Sequence, residues 1–248
     1  MTDEMQHRIR TWWDEDARTY DRSPSHAASD PVEAAAWRAV LDRYLPPPPA
    51  KVLDVGAGTG ALSLLVADLG HDVTALDLSA GMLKRLEEKA SARELRVEIV
   101  NGPANQPPPG PFDAIVERHL LWTIPDPGSV LAAWHAAAPA GRLILFEGLV
   151  AGGPSARRVR SWLAEAVRKA AKVPDDHHAE YDADMIEAMP LARLSSPEPL
   201  IRAVRGAGWR RVRIERLSNV EWARSLTGAE GFAHKLEGWA QYVLVAEA

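Results

Sequence analysis

The stretch Val52–Gly60, VLDVGAGTG, followed by Ala75–Ser79, ALDLS, decides the fold of this 248-residue chain. An apolar run with one acid breaks into three glycines on alternate positions and passes into a helix-like segment, residues 61–69. A second apolar run then ends on an acid, Asp77, twenty-one residues after Gly56 (77 − 56). The pattern predicts a strand, a tight turn, a helix and a second strand with an acid at its carboxyl end.

Each part of this pattern has a physical reason that points to a cofactor containing adenosine. Glycine adopts positive φ and lets a ligand approach the main chain where a Cβ would collide. The N–H groups at the start of the following helix favour a negative or strongly accepting group. Asp77 can accept two hydrogen bonds, which is the number that the vicinal hydroxyls of a ribose offer.

The spacing of the glycines distinguishes between cofactors. Dinucleotide-binding proteins use G-x-G-x-x-G, in which the third glycine packs the helix closely against the strand beneath a pyrophosphate. This chain has G-x-G-x-G at positions 56, 58 and 60, with Asp54 two residues upstream and Leu62 after Ala61. The pyrophosphate pattern is incomplete, which disfavours a dehydrogenase.

Residues 51–86 resemble motifs I and II of the class I S-adenosylmethionine-dependent methyltransferases of the small-molecule type. The resemblance implies that the D-x-G-x-G-x-G loop binds the methionine part of S-adenosylmethionine and that the acid after the second strand binds its ribose. The residues expected to contact this cofactor are Asp54, Gly56, Ala57, Gly58 and Gly60 for the methionine part, Asp77 for the ribose, and Leu78 and Met82 for the adenine.

The segment after the third predicted strand departs from the family. The family usually has Gly-Asp-Ala there, and the Asp accepts a hydrogen bond from the adenine amino group. This chain has Gly102, Pro103 and Ala104, and proline offers no side-chain acceptor. We therefore expect adenine to be bound by main-chain groups of residues 102–105, or by the side chain of Asn105.

Tyr20-Asp21, ahead of the glycine loop, resembles an N-terminal motif in which a tyrosine closes over the bound cofactor. The alternative is that Tyr20 only packs one helix against another. By this resemblance Tyr20 is a further expected cofactor contact.

Arg118 and His119 follow the fourth predicted strand, and ligands of open α/β sheets lie beyond the carboxyl ends of the strands. His119 is expected to lie nearest the reacting centre, where a neutral imidazole could take a proton from an oxygen or nitrogen nucleophile. The favoured alternative is that Arg118 and His119 bind the methionine end of the cofactor and hold the loop. Trp122 either forms a wall of the substrate pocket or packs in the core.

Alternating elements predict an α/β fold with a doubly wound parallel sheet and helices on both faces. The resemblance implies a seven-stranded Rossmann-like methyltransferase sheet, closed by an antiparallel pair. The predicted strands are 51–55, 72–77, 96–100, 112–117, 141–147, 209–217 and 240–246, and the predicted helices are 4–20, 31–45, 61–69, 80–91, 127–138, 156–171 and 197–207.

Four regions are predicted along the chain. They are an N-terminal helical cap (1–45), the cofactor-binding core (46–148), an insertion after the fifth strand (149–196) and a C-terminal completion of the sheet (197–248). The insertion is expected to be a helical lid over the site; the alternative is that it only covers the sheet edge. Its basic helix either meets an acidic substrate or partner or is simply solvated.

An acidic and histidine-rich cluster lies in the insertion. Its spacing matches no metal template, and metal-dependent members of the family draw ligands from the ends of the fourth and fifth strands instead. We therefore expect a solvated lid surface and no metal. The cluster comprises Asp175, Asp176, His177, His178, Glu180, Asp182 and Asp184.

Composition excludes several classes of protein. The chain has no cysteine, so disulfides, zinc–thiolate sites and thiol nucleophiles are excluded. A net charge of −5 disfavours nucleic acid as a partner. No apolar run reaches the roughly 20 residues of a membrane helix, and residues 1–10 contain no apolar signal segment. We expect a soluble, cytoplasmic protein.

The predicted function is methyl transfer from S-adenosylmethionine to an oxygen or nitrogen atom of a small metabolite or natural product. The reaction is an in-line displacement at an activated carbon, so the protein contributes mainly orientation and exclusion of water. One alternative is a peptide or protein methyltransferase. Another is a protein that uses the cofactor as a scaffold, such as a cyclase or a binding module. The acceptor and the oligomeric state stay open.

Overall fold

The computed structural model describes residues 3–22, 26, 30–150, 154–173, 181–192, 194 and 196–248. Within them seven strands form one sheet in the order β3-β2-β1-β4-β5-β7-β6. The first five strands are parallel, and β7 runs antiparallel to both β5 and β6. The strands are β1 (Lys51–Val55), β2 (Asp72–Asp77), β3 (Val97–Asn101), β4 (Ala114–Arg118), β5 (Arg142–Val150), β6 (Arg210–Arg216) and β7 (Trp239–Glu247).

Helices flank the sheet. Several begin at a side chain that accepts a main-chain N–H: Asp30 before α2, Ser79 before α4 and Asp126 before α5. The helices are α1 (Asp3–Asp16), α2 (Pro31–Tyr44), α3 (Ser63–Asp68), α4 (Ala80–Ala92), α5 (Pro127–Ala137), α6 (Pro154–Ala170), α7 (Ala183–Glu187), α8 (Glu198–Gly206), α9 (Ser218–Arg224) and α10 (Gly228–Glu237). Short 3-10 turns cover Tyr20–Arg22 and Leu121–Thr123.

The core lies on both faces of the sheet. On one face Trp37 and Leu41 of α2 pack against Val52 of β1, and on the other Trp134 of α5 packs in the cluster that contains Leu53. Alternate residues of β1 therefore face opposite cores, which explains why a central parallel strand is an almost continuous apolar run. The predicted seven-stranded, doubly wound α/β fold is confirmed.

The structure differs from the predicted elements mainly near the carboxyl end of the chain. Strand β5 continues to Val150, beyond the predicted end at residue 147. Helices α9 and α10 lie between β6 and β7, where no helix was assigned. Both helices are short and leave large apolar side chains such as Trp222 and Phe232 exposed. They therefore lack the clear one-sided pattern from which a helix is predicted.

The N-terminal helix packs against the segment around α7. Ile9, Tyr181, Met185 and Met189 form one buried apolar cluster. Arg8 donates to Asp182 (2.8 Å) and Asp184 (2.7 Å), so these two acids of the predicted histidine-rich cluster are paired with arginine. The other members of that cluster, residues 175–178 and 180, lie outside the described residues.

Helix α6 packs against α10, joined by Arg168, which donates to Glu230 (2.8 Å) and Glu237 (2.7 Å). Part of the predicted basic face is therefore neutralised by acids of the same chain. The lid over residues 149–196 and the four regional boundaries stay predictions. None of the helices in the described part of the chain is long and apolar enough to cross a membrane.

Candidate functional site

The glycine loop turns sharply where β1 ends. Gly56, Gly58 and Gly60 have φ of +68°, +54° and +91°. The N–H groups of Gly56 and Ala57 both donate to the carbonyl of Leu76, at 2.8 and 3.2 Å, which holds the loop against β2. A Cβ at Gly60 would lie 2.7 Å from Cγ of Leu86 in α4. Positive φ and this close approach together require glycine at position 60.

Asp77 joins this loop to the next helix. Its Oδ2 accepts the Gly58 N–H and its Oδ1 accepts the Ser79 N–H, both at 2.8 Å. Burial raises the pKa of Asp77 to about 6. Because each carboxylate oxygen has a second lone pair, both oxygens can still accept a hydrogen bond from a ligand.

Asp54, the predicted methionine contact in β1, lies behind the loop. Its side chain is buried, and Oδ2 accepts the Ser63 hydroxyl at 2.5 Å. Burial raises the pKa of Asp54 to about 6. Asp54, Ala57 and Gly60 line neither of the two cavities at the strand ends. These three residues shape the loop from beneath.

The smaller cavity, of about 90 Å³, brings together the remaining predicted cofactor residues. They are Tyr20, Gly56, Gly58, Asp77, Leu78, Met82, Gly102, Pro103, Ala104, Arg118 and His119. Asn105 does not line this cavity; its Oδ1 is buried and has no hydrogen-bond partner among the described residues.

The N-terminal segment closes over the glycine loop. Asp21 accepts the Thr59 hydroxyl at 2.6 Å and pairs with Lys89 at 3.0 Å. Asp14 accepts the Ser79 hydroxyl and the Gly81 N–H, at 2.5 and 3.0 Å. Ligand pockets usually measure about 300–1,000 Å³. The smaller cavity lies below this range with the side chains of this segment in place.

A second, larger cavity of about 1390 Å³ adjoins the first. Trp13, Tyr20, Arg118 and His119 line both cavities and so mark the junction between them. The walls of the larger cavity come from β5, β7, α6, α9 and α10, and include Trp122, Glu147, Arg160, Arg224, His234 and Trp239. Trp122 thus contributes to the wall of the larger cavity.

His119 stands at this junction in an unusual conformation. Its φ is +59°, uncommon for a residue other than glycine. Its N–H donates to the Phe146 carbonyl at 3.0 Å, and its Nδ1 lies 3.7 Å from Oε2 of Glu147. Burial, together with the charges of Arg118 and Arg224, lowers the pKa of His119 to about 3. The imidazole is therefore neutral at physiological pH.

The sequence analysis did not identify two acids at the site, Glu117 and Glu147, as functional groups. Glu117 in β4 is fully buried, and its Oε2 accepts the Leu120 N–H at 2.9 Å. Burial and the charge of Glu147 raise the pKa of Glu117 well above its usual range. Burial raises the pKa of Glu147 to about 8. The sequence signal that could have identified Glu147 is its position directly after the apolar residues of LILFEG, residues 143–148.

Arg224 and His234 were also missed, because they lie on the two unpredicted helices. Arg224 pairs with the buried Glu33 of α2 at 3.0 Å. His234 stacks on Trp239, with 5.8 Å between ring centroids. Burial lowers the pKa of His234 to about 3, so this ring is also neutral at physiological pH.

Comparison with known proteins agrees with the loop geometry. Residues 52–141 match the family model of a methyltransferase domain. The chain therefore contains a methyltransferase domain, and over that part it is similar to the class I S-adenosylmethionine-dependent methyltransferases. Solved structures of similar fold include a phosphoethanolamine N-methyltransferase and a geranyl diphosphate C-methyltransferase, both with S-adenosylhomocysteine bound.

Curated relatives of this methyltransferase-family chain include ubiquinone biosynthesis O-methyltransferases. The protein from Xanthomonas campestris pv. campestris (strain B100) is 38% identical over 141 residues, which is 54% of either chain. The protein from Xylella fastidiosa (strain 9a5c) is 34% identical over 139 residues. The chain spans about half the length of the curated relatives it matches.

Solved structures show the same fold over most of the chain. A geranyl diphosphate methyltransferase in complex with geranyl diphosphate and sinefungin has a TM-score of 0.62, at 16% identity, covering 98% of this chain and 99% of that one. The cyclase SpnF has a TM-score of 0.58, at 17% identity, covering 87% and 80%. At these identities the likeness concerns the fold alone.

The residues of the smaller cavity suit S-adenosylmethionine. Asp77 keeps lone pairs for the ribose hydroxyls, and Leu78 and Met82 offer apolar contact for the adenine. When bound, the cofactor supplies a methyl group activated by its positively charged sulfur.

Cofactor affinity should depend on pH because Asp77 titrates near pH 6. Below that pH the protonated carboxyl is a poorer acceptor for the ribose hydroxyls. The affinity for S-adenosylhomocysteine should therefore fall by about tenfold between pH 7 and pH 5. Calorimetric titration across this range measures the change.

The Asp77→Asn variant is the matched control, since it retains Asp54, whose pKa is also about 6. Binding by this variant should be weaker and nearly independent of pH. A wild-type dissociation constant that stays flat from pH 5 to pH 8 would contradict the prediction.

Proposed function

We propose that this chain transfers the methyl group of S-adenosylmethionine to an oxygen or nitrogen atom of a small-molecule acceptor. The observation that carries the proposal is the junction at His119, where the cofactor cavity meets a second, larger cavity. A donor in the first cavity and an acceptor in the second meet end to end at this junction. Such an arrangement serves an in-line displacement, which needs orientation more than chemical assistance.

The lining of the larger cavity supports a small acceptor with an aromatic or apolar body. Aromatic rings of Trp13, Trp122, Phe232 and Trp239 line it, and Arg118, Arg160, Arg216, Arg224 and Lys235 supply cations. Apolar walls with a few placed polar groups are typical of small-molecule sites. The named activity of the curated relatives, O-methylation in ubiquinone biosynthesis, is consistent with this choice.

Other residues have supporting roles in the proposal. The cap formed by residues 1–45 encloses the cofactor through Tyr20, and the insertion of residues 149–196 covers the acceptor. Arg118 and His119 hold the methionine end of the cofactor at the junction. These groups exclude water, which otherwise competes with the acceptor for position.

The test is a screen of phenols, catechols and small amines with methyl-labelled S-adenosylmethionine. We expect acceptor-dependent S-adenosylhomocysteine and a labelled product, neither of which forms with the Asp77→Ala variant. Turnover of a substrate without S-adenosylhomocysteine would instead identify a cyclase that uses the cofactor as a scaffold. Label found only in peptides offered to the enzyme would replace the small acceptor by a protein substrate.

A further inference from the structure

Glu147 is a buried acid within β5 that faces the larger cavity. Its side chain is 11% exposed, and this surface lies on the cavity wall beside His119, 3.7 Å from the imidazole Nδ1. Its Oε1 is buried and has no hydrogen-bond partner within the described residues. Leaving a buried carboxyl oxygen unsatisfied is costly, about 1–3 kcal/mol or more for a charged group. The fold alone does not require such a group.

Burial raises the pKa of Glu147. Burial and the charge of Glu147 also raise the pKa of Glu117 on the neighbouring strand β4, because two neighbouring buried carboxyls resist ionising together. Arg118, Arg224 and His234 contribute to the same cavity wall, with Gln241 of β7, whose side chain donates to the Glu147 carbonyl at 3.2 Å. The pKa of Glu147 is about 8, whereas that of His119 is about 3. Of these two neighbours, only Glu147 can hold a proton near neutral pH.

We propose that Glu147 is the group that accepts the proton of the acceptor. This proposal rests on the proposed function. The acceptor's O–H or N–H bond breaks with its proton passing to the Glu147 carboxylate, and the acceptor's lone pair forms the bond to the methyl carbon. The methyl–sulfur bond breaks with its electron pair staying on sulfur. The proton then leaves Glu147 through the water of the larger cavity.

A positive charge at the donor position favours the ionised form of a nearby carboxyl. The carboxylate of Glu147 is thus favoured when the donor is in place, which couples proton acceptance to cofactor binding. The same coupling gives a binding test that needs no acceptor. Sinefungin carries an amine where the donor has its methylated sulfur, whereas S-adenosylhomocysteine is neutral there.

Calorimetry of both ligands from pH 6.5 to pH 8.5 reads this coupling directly. In the wild type, the preference for sinefungin over S-adenosylhomocysteine should grow about three- to tenfold as Glu147 ionises, as expected for a coupling of half to one pKa unit. The pH-dependent part should vanish in Glu147→Gln. It should persist in His119→Ala, and in Glu88→Gln, which removes an exposed acid on α4.

Two results would overturn the assignment of Glu147 as the proton acceptor. In one, the preference for sinefungin over S-adenosylhomocysteine still grows with pH in Glu147→Gln. In the other, the growth of this preference with pH disappears only in His119→Ala. With an acceptor from the screen, Glu147→Gln should also lower kcat by about 10²–10⁴-fold, while S-adenosylhomocysteine affinity stays within about twofold of wild type. If the wild type transfers no methyl group, the proposed function fails while the analogue test still reports on Glu147.

The melting temperature of Glu147→Gln tests whether this variant folds as the wild type does. Because the pKa of Glu147 is raised from 4.5 to about 8, the folded chain holds a proton that the unfolded chain releases between these values. Stability therefore falls as pH rises through this window. Glu147→Gln removes this loss, so its melting temperature at pH 8 should equal or exceed that of the wild type. A variant that melts well below wild type at pH 8 would contradict the placement of Glu147 as a destabilised acid.

Discussion

Replacing Asp77 with alanine should weaken binding of S-adenosylhomocysteine by about 10²–10⁴-fold. The carboxylate offers one remaining lone pair on each oxygen to the two ribose hydroxyls, and a hydrogen bond to a charged group contributes about 1.5–3 kcal/mol. The same substitution removes the acceptors of the Gly58 and Ser79 N–H groups, so the glycine loop also loses its tie to α4. Calorimetry at pH 7.5 measures the loss.

Asp72→Ala is the matched control, because Asp72 lies at the opposite end of the same strand and is exposed. Its affinity should equal that of the wild type. Near-native affinity in Asp77→Ala would show that the ribose is bound elsewhere. Such a result would also remove the pH dependence expected from this carboxyl.

Arg224→Met should lower the free energy of unfolding by about 3–5 kcal/mol, the usual cost of breaking a buried ion pair from one side. Arg224 pairs with Glu33, whose side chain is fully buried in α2 and also accepts the Trp37 indole N–H at 3.3 Å. Without the guanidinium, Glu33 is left as an uncompensated buried acid. Urea unfolding at pH 7.5 measures the change.

Two further variants separate the ion pair from other effects. Arg211→Met breaks an exposed pair with Glu247 and should cost at most about 1 kcal/mol. The double variant Glu33→Gln, Arg224→Met removes both charges and should recover part of the loss. A loss for Arg224→Met no larger than that for Arg211→Met would mean that the pair between α2 and α9 contributes little.

The sequence predicts the conformation of the glycine loop and its neighbouring acid well because their signals are local. A few neighbouring residues are enough to predict where glycines adopt positive φ and where an acid ends the next strand, because both features depend on short-range geometry. The structure brings Gly56, Gly58 and Asp77 together at the smaller cavity. The side chain of Asp54 accepts the Ser63 hydroxyl, and its contact with the methionine part of the cofactor stays a prediction.

The acceptor half depends on contacts between residues far apart in the chain, which no local pattern contains. The raised pKa of Glu147 comes from its burial in the assembled sheet, and its charge in turn raises the pKa of Glu117 on the neighbouring strand. Arg224 and His234 reach the cavity because α9 and α10 are inserted between two strands that the sequence predicted as a simple pair. Charge and burial at these positions are properties of the assembled sheet.

The order of the strands also has an evolutionary consequence. The glycine loop and Asp77, which we expect to bind the donor, lie within residues 51–104, whereas much of the larger cavity's wall follows residue 146. The family match ends at residue 141, before the later part of that wall. Substitutions in the later segment can therefore change the wall of the larger cavity without altering the glycine loop or Asp77. Proteins with this arrangement can thus come to bind a different acceptor in the larger cavity while they keep the same donor-binding loop and acid.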